Sequence, residues 1–430
     1  MGFQQGLSGL NAASKYLDSI GNNVSNSNTV GFKASSTQFA DVFASSLTGA
    51  GGLQVGIGTK IGNIAQQFTQ GNITSTNNPL DVAINGKGFF RMDDNGTVVY
   101  SRAGQFQLDK DGYIVNGNGL KLTGYNADAT GSITAGTPIN MRVSSTDLMP
   151  TPTTTAGVKV NLDSGQIIPD TTPFNYANPD TYNSSTSLTV YDSLGNDSTY
   201  TMYFVKTAAN SWNTYATVSS PSAVTVANPS GITDLSSGGA LAPLPTPLGT
   251  LKFTTSGAID TATTTLPFTQ AITSATALKT GAADMSFKVD FTGSTQFGSA
   301  FGVNELTQNG NASGRLTGFS IGADGVIKGR YTNGKSLSLG QVVLANFTNP
   351  QGLQPLGNNA WAETSTSGAP LVGAPSSGSL GVLQSSAVED SNVDLTAELV
   401  NMITAQRTYQ ANAQTIKTQD QVLQTLVNLR

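Results

Sequence analysis

The stretch NVDLTAELVNMITAQRTYQANAQTIKTQDQVLQTLVNLR, residues 392–430, contains neither glycine nor proline in a chain that holds 48 Gly and 17 Pro. Within it Leu395, Met402, Tyr409, Ile416 and Leu423 recur every seven residues. Leu399, Gln406, Ala413, Asp420 and Val427 form a second seven-spaced row, offset by four. Two such rows on one helix make a coiled-coil seam, strong in the first row and mixed in the second. As a continuous helix the stretch is roughly 58 Å long, more than a small domain is wide. The other end of the chain answers it. Phe3, Leu10, Leu17 and Val24 are seven-spaced, with Leu7, Ser14 and Gly21 as the companion row.

The two ends read as an assembly device, and the long middle as what the device displays. A lone seam buries too little apolar surface to offset the ordering of about forty residues. The ends are therefore expected to be largely unfolded in the monomer and to fold beside sister subunits. The alternative is that each helix packs on its own β domain.

Composition narrows the function. At 430 residues the chain accommodates several domains, each with a core. Cysteine and histidine are both absent. That removes disulfides, thiol nucleophiles, Cys or His metal sites and the commonest general base. Net charge is −5 with 11% charged residues. No basic patch suits nucleic acid, and no run approaches the ~20 apolar residues that span a bilayer. No cleavable signal peptide is legible in residues 1–20. Only four glutamates occur, Glu305, Glu363, Glu389 and Glu398. The polar surface is thus built from Thr, Ser, Asn, Gln and Asp, which desolvate at lower cost than Lys and Glu and suit subunits packed side by side.

The chain in order predicts nested domains. Residues 1–30 form an amphipathic helix to about Val24, stopped by the Asn-rich run 22–28 and Gly31. Residues 31–78 are an extended connector whose Phe32, Phe39 and Phe43, with Leu47, need a surface to dock on. Residues 79–145 with 284–388 form a meander of short strands, with Asn85-Gly86 and Asn95-Gly96 as hairpin signals and a turn at Asp109-Lys-Asp111-Gly112. Residues 146–283 form an inserted outer β domain; strands at 187–191, 199–206 and 212–218 flank turns at 192–196 and 207–210. Its Tyr191, Tyr200, Tyr203, Phe204, Trp212 and Tyr215 argue against disorder. Residues 389–430 rejoin 1–30 as the helical assembly domain, with Ser391-Asn-Val-Asp394 as a capping-box start carrying Asp in place of Glu. The fold class expected is mainly β with terminal α-helices: nested antiparallel barrel or sandwich domains plus a coiled-coil-like pair.

No constellation supports catalysis. Asp109-x-Asp111-Gly112 lacks the remaining ligands of a Ca²⁺ loop and reads as a turn. Gly86-x-Gly88 leads into neither a helix nor a Gly-Lys-Ser/Thr, and Asp93-Asp94 are neighbours in a turn. No enzyme, cofactor or metal site is expected.

Two long motifs add a family. Ser19-Ile-Gly-Asn-Asn-Val-Ser-Asn-Ser-Asn-Thr-Val-Gly-Phe-Lys33 resembles the N-terminal signature of the bacterial flagellar axial proteins (rod, hook and hook-associated), with Asn22, Asn23, Asn26, Thr29, Gly31, Phe32 and Lys33 as its motif positions. Residues 392–420 resemble the C-terminal signature. Asn85-Gly-Lys-Gly-Phe-Phe90, Ser101-Arg-Ala-Gly-Gln-Phe106, Tyr191-Asp-Ser-Leu-Gly-Asn196 and Ala345-Asn-Phe-Thr-Asn-Pro350 match inside. The large insert and the Asn428-Leu-Arg430 ending resemble the hook-type members. The resemblance implies a homopolymer: a hollow, bendable hook tube, helices lining it and β domains outside, acting as a universal joint that passes motor torque to the filament. It implies export through the type III apparatus without a cleaved signal, and a place in the hook segment outside the cell. Implied partners are the chain itself, the distal rod protein, the hook cap protein and the hook–filament junction protein, with no nucleic acid and no membrane insertion. Phe3, Leu7, Leu10, Leu17, Val24, Leu395, Leu399, Met402, Tyr409, Ile416, Leu423 and Val427 are the expected assembly interface. The competing readings are a distal rod-type axial protein and, from another class, a Thr-rich β-sandwich surface adhesin.

Overall fold

The computed structural model describes residues 2–42, 56–144, 146–219, 226–227, 246–272 and 281–428. Phe43, Leu47 and the last two residues of the chain lie outside them. The chain is mainly β, with one helix at each end, α1 (Gly2–Ser25) and α2 (Leu395–Asn428). It divides into two compact units. The first comprises Met1–Ser145, Gly318–Arg330 and Ser336–Arg430; the second comprises Thr146–Thr317 and Tyr331–Lys335.

In the first unit, β1 (Ser35–Val42) and β2 (Gly58–Gln66) pair antiparallel, so the connector is in large part a two-stranded ribbon. Phe39 finds its surface on α1, edge-on to Tyr16 at 5.9 Å. The meander pairs Phe89–Asp94 with Thr97–Ser101 around Asn95-Gly96, where both residues have positive φ, at 50° and 99°. That is the conformation Asn-Gly adopts readily in a two-residue hairpin. Its core gathers Phe89, Tyr100, Phe347, Leu353 and Trp361.

Asn85-Gly86 is not a hairpin. Val82–Asn85 pairs instead with Val382–Ser385, and Ile73–Ser75 pairs with Ala387–Glu389. Strands from the far end of the chain occupy the edges where a local hairpin would have formed. Gly86, at φ 112°, gives its N–H to Gln70 Oε1 at 2.9 Å. The Asp109 turn closes as read: its Oδ1 accepts from the N–H groups of Asp111 and Tyr113 at 2.9 and 2.7 Å.

The second unit is built from two sheets sharing one core. One sheet holds Ser184–Tyr191, Asp197–Ala208 and Ser211–Ser219, paired in sequence order. The other is centred on Thr155–Asp163. Alternation decides which side chains face inward. Tyr200, Phe204 and Trp212 point into the core with Val158, Val160, Phe287, Val289 and Phe291. Tyr203 and Tyr215 point the other way and pack on Phe174. Two of the buried aromatic tips are hydrogen-bonded: Tyr200 Oη donates to Gln270 Oε1 at 3.1 Å, and Trp212 Nε1 to Gln296 Oε1 at 3.0 Å.

The insert boundary at 283/284 needs correction. Met285–Asp290 and Thr295–Phe297 run parallel to Thr155–Asp163, and Gly302–Gln308 runs antiparallel to it. Residues 284–317 therefore belong with the second unit, not with the meander. Alternating apolar residues look alike in either sheet, so the sequence pattern carries no mark of which partner a strand takes.

Candidate assembly site at the two chain termini

The helices run antiparallel. A Cβ placed on Gly6 would touch Ile416 at 3.0 Å, one on Gly9 would meet Asn412 Oδ1 at 2.6 Å, and Asn23 Nδ2 donates to Glu398 Oε1 at 2.9 Å. Residues low in α1 meet residues high in α2 throughout. The close approach depends on small side chains. Gly6, Ala12 and Ala13 are buried on α1, and Ala405 is buried on α2.

This pairing does not use the rows expected from the heptads. Met402 and Ile416 are half-buried in it, but their companions are Glu398, Ala405, Asn412 and Gln419 in place of Leu399, Gln406, Asp420 and Val427. On α1 the buried row is Gly6, Ala13 and Ile20; Leu10, Leu17 and Val24 are only half-buried. Phe3, Leu7, Leu395, Leu399, Tyr409, Leu423 and Val427 stay exposed, from 38% at Tyr409 to 74% at Val427. The expected interface thus divides into residues partly used within the chain and residues left open. The expectation of unfolded ends also differs from the structure, where one chain carries both helices wound and paired. The second helix and the ribbon supply the surface that a lone seam lacks.

The start of α2 is also reassigned. Asp394, not Ser391, is the cap: its Oδ1 accepts from the N–H groups of Thr396 and Ala397 at 2.9 and 3.1 Å. A carboxylate there serves orphan donors and the positive helix end together.

Where the helices meet the β body, the motif residues make a junction. Asn23 is buried; its amide takes the N–H of Ser35 and returns Nδ2 to the Ser35 carbonyl, both at 2.9 Å. Asn26 bonds back to Asn22, and the Thr29 hydroxyl donates to Asn26 Oδ1 at 3.2 Å. These bonds turn the chain out of α1. The N–H of half-buried Phe32 closes on the Thr29 carbonyl at 3.2 Å. Gly31 has φ 71°, and an added Cβ would lie 2.5 Å from the Ala103 nitrogen, so only glycine fits. Its N–H donates to the Glu389 carbonyl at 2.8 Å. From the other terminus, Asn392 accepts the N–H of Ala34 and donates to the Gln67 carbonyl.

Beneath this lies a buried ionic triad. Glu389, fully enclosed, receives Lys33 Nζ at 2.6 Å on one oxygen and Arg102 at 3.1 Å on the other. Gly71 N–H adds a third bond at 2.9 Å, Lys33 also donates to the Thr69 carbonyl at 2.8 Å, and Arg102 to the Gly86 carbonyl at 2.9 Å. Burial pulls the Lys33 ammonium below its ordinary range, and Glu389 partly restores it. Burial likewise lowers Arg102 against the same opposing carboxylate. One anion holds two cations, one from each of two distant segments, and so locks both motifs to the meander. Sequence reasoning found Lys33 but missed Glu389, Arg102 and Asn392. The available signal was the rarity of Glu in a chain with only four of them.

Comparison with known proteins follows this organisation. Family models match in four blocks: "Flagella basal body rod protein" over residues 3–33, "Flagellar hook protein FlgE/F/G D1 domain" over 83–167, "Flagellar basal body protein FlaE D2 domain" over 161–311 and "Flagellar basal body rod FlgEFG protein C-terminal" over 384–429. The chain is 44% identical to the flagellar hook protein FlgE of Escherichia coli K12 and 45% identical to that of Salmonella typhimurium, in each case over all of both chains. The crystal structure of Helicobacter pylori flagellar hook protein FlgE2 is similar in fold, with a TM-score of 0.50 at 14% identity over 74% of this chain and 99% of that one. With whole-length identity at this level, and with matched motifs meeting in one junction, the chain belongs to the flagellar hook protein family.

Proposed function

We propose that this structural subunit of the flagellar hook polymerises through its terminal helices into a hollow, bendable tube that passes motor torque to the filament. The observation that carries the reading is the division of the helical surface. Small residues pair α1 with α2 inside the chain, while Phe3, Leu7, Leu395, Leu399, Tyr409, Leu423 and Val427 remain exposed. Apolar rows left open on a wound helix favour burial against a neighbour. Leu10, Leu17, Val24, Met402 and Ile416 contribute from the half-buried edges of the same faces. The second unit carries few charges, so its Thr, Ser and Asn faces offer many weak, exchangeable contacts, which suits sliding between subunits as the tube bends. In this reading the chain leaves the cell through the type III export apparatus with no cleaved signal. It meets the distal rod protein at one end of its polymer and the junction protein at the other, with the hook cap protein directing growth.

The test is polymerisation of the purified chain, imaged by electron microscopy, with and without residues 1–30 or 391–430. Curved tubes from the intact chain, and none from either truncation, are the expected result. Straight, stiff tubes would move the reading to a rod-type protein. Equal polymerisation by the truncated chains would remove the terminal helices from the mechanism.

A further inference from the structure

Between α1, α2 and the β1–β2 ribbon lies an apolar groove of about 420 Å³. Its floor is small, made by Gly9, Ala12, Ala13 and Ala405, and its rim includes Thr408 and Phe39. Among the described residues, no charged one lines it. A trough between two close-packed helices, floored by small side chains, is the shape that receives the ridge of a third helix.

The same chain carries a helical segment that the described residues leave exposed. The antiparallel register that sets Gly6 beside Ile416 leaves α2 past Asp420 with no residue of α1 alongside. From Gln421 to Asn428 that segment bears no charge, and Val422, Leu423 and Val427 are at least half exposed. Groove and segment match in polarity and in the absence of charge.

They cannot meet within one molecule. Thr408 and Leu423 lie on one helix with no internal Gly or Pro, about 15 residues or roughly 22 Å apart along its axis. Such a helix does not fold back on itself. We infer that the groove of one chain seats the last two turns of α2 of a second copy. The inference rests on the polymerising role proposed above and deepens it by naming the contact. Groove and segment are different surfaces, so the contact is heterologous: each chain that donates its segment still offers an empty groove. An interface of that kind extends without limit unless its rotation closes a ring.

The absence of native cysteine makes the test clean. Thr408→Cys and Leu423→Cys are made in separate chains, mixed, polymerised and mildly oxidised; a disulfide requires Cα atoms about 4.4–6.8 Å apart. The expected result is a covalent dimer from the mixture, a ladder of higher oligomers from the double variant, and only background linkage from either single variant. A Thr408→Trp chain, altered at an exposed rim position, should keep the helix content of the single chain and lose polymerisation. Tubes that form without the mixed link would overturn the inference and leave the hook reading intact. So would Leu423→Cys linking to itself, or a link obtained only when Leu399→Cys replaces Leu423→Cys. Absence of tubes from the native chain would instead strike the hook reading.

Discussion

Replacing Glu389 with glutamine keeps the shape of the junction and removes the carboxylate that faces its two buried cations. The native carboxylate faces Lys33 at 2.6 Å and Arg102 at 3.1 Å, with all three side chains at or near zero exposure. Breaking a buried pair by deleting one partner costs about 3–5 kcal/mol, because the remaining charge is stranded. Here two cations are stranded, so the upper part of that range is expected. For a unit of this size that is a fall of roughly 6–20 °C in melting temperature. The chain supplies its own probes. Trp361 lies in the core of the first unit and Trp212 in that of the second. A Trp212→Phe background therefore reports the first unit alone, and a Trp361→Phe background the second. Glu389→Gln should move the Trp361 transition in urea and leave the Trp212 transition in place. Lys33→Met should cost less, about 1–3 kcal/mol, since Arg102 still neutralises the carboxylate. The pH dependence has a definite sign. Burial holds Lys33 below its ordinary value of 10.5, so between its folded and unfolded values the unfolded chain binds more protons. Stability in that window rises with pH. With Glu389 gone the window widens, and part of the loss should be recovered as pH is raised toward 10.5. The reasoning fails if Lys33→Met proves as damaging as Glu389→Gln, or if the Trp361 midpoint moves by less than about 1 kcal/mol.

Other consequences are as direct. Gly31→Ala forces a side chain into positive φ, 2.5 Å from the Ala103 nitrogen, and should cost roughly 2–3 kcal/mol in the Trp361 transition; a negligible change would mean that the loop yields freely. Asp394→Ala removes both cap bonds of α2 and should cost about 1 kcal/mol, with Ser391→Ala near neutral in the same melt. Deleting residues 146–317 should leave a soluble first unit, because the antiparallel bridges Leu148 to Gly314 and Thr151 to Asn311 bring the two cut ends together for a short linker. Deleting only 146–283 should aggregate, because it strands Phe287, Val289 and Phe291 without their core. Light scattering of the two deletions separates these outcomes.

The strands, the Asp109 and Asp192 turns and the two terminal helices were legible because each is written in a short window: alternation, Asx chemistry, or the absence of Gly and Pro. What resisted reading was long-range choice. Asn85-Gly86 has the composition of a hairpin, yet Val382–Ser385 takes the strand before it. Met285–Asp290 alternates as any half-buried strand does and joins Thr155–Asp163 from 130 residues away. Lys33, Arg102 and Glu389 are each unremarkable alone; only the fold brings them within bonding distance across |i−j| of 356 and 287.

The heptads carry the more instructive difference. A heptad count weights the large apolar residues, but the pair inside this chain is decided by how closely two backbones approach, which favours Gly6, Gly9, Ala13 and Ala405. The large residues are then free to face outward. In a chain that both folds and polymerises, one helical pattern answers two demands, and the residues separate by size. Two substitutions should therefore fail in opposite ways. Gly6→Leu places a side chain at a buried position where a Cβ already meets Ile416 at 3.0 Å, so it should part α1 from α2 in the single chain. That appears as lost helical circular dichroism and faster proteolysis of both termini, with polymerisation failing as a consequence. Leu423→Asp sits on the exposed end of α2 at 54% exposure and should leave the single chain's spectrum and proteolysis unchanged while tubes fail to form. If Leu423→Asp also unwinds the monomer, that end of α2 is held within the chain, and the division of labour by size is wrong.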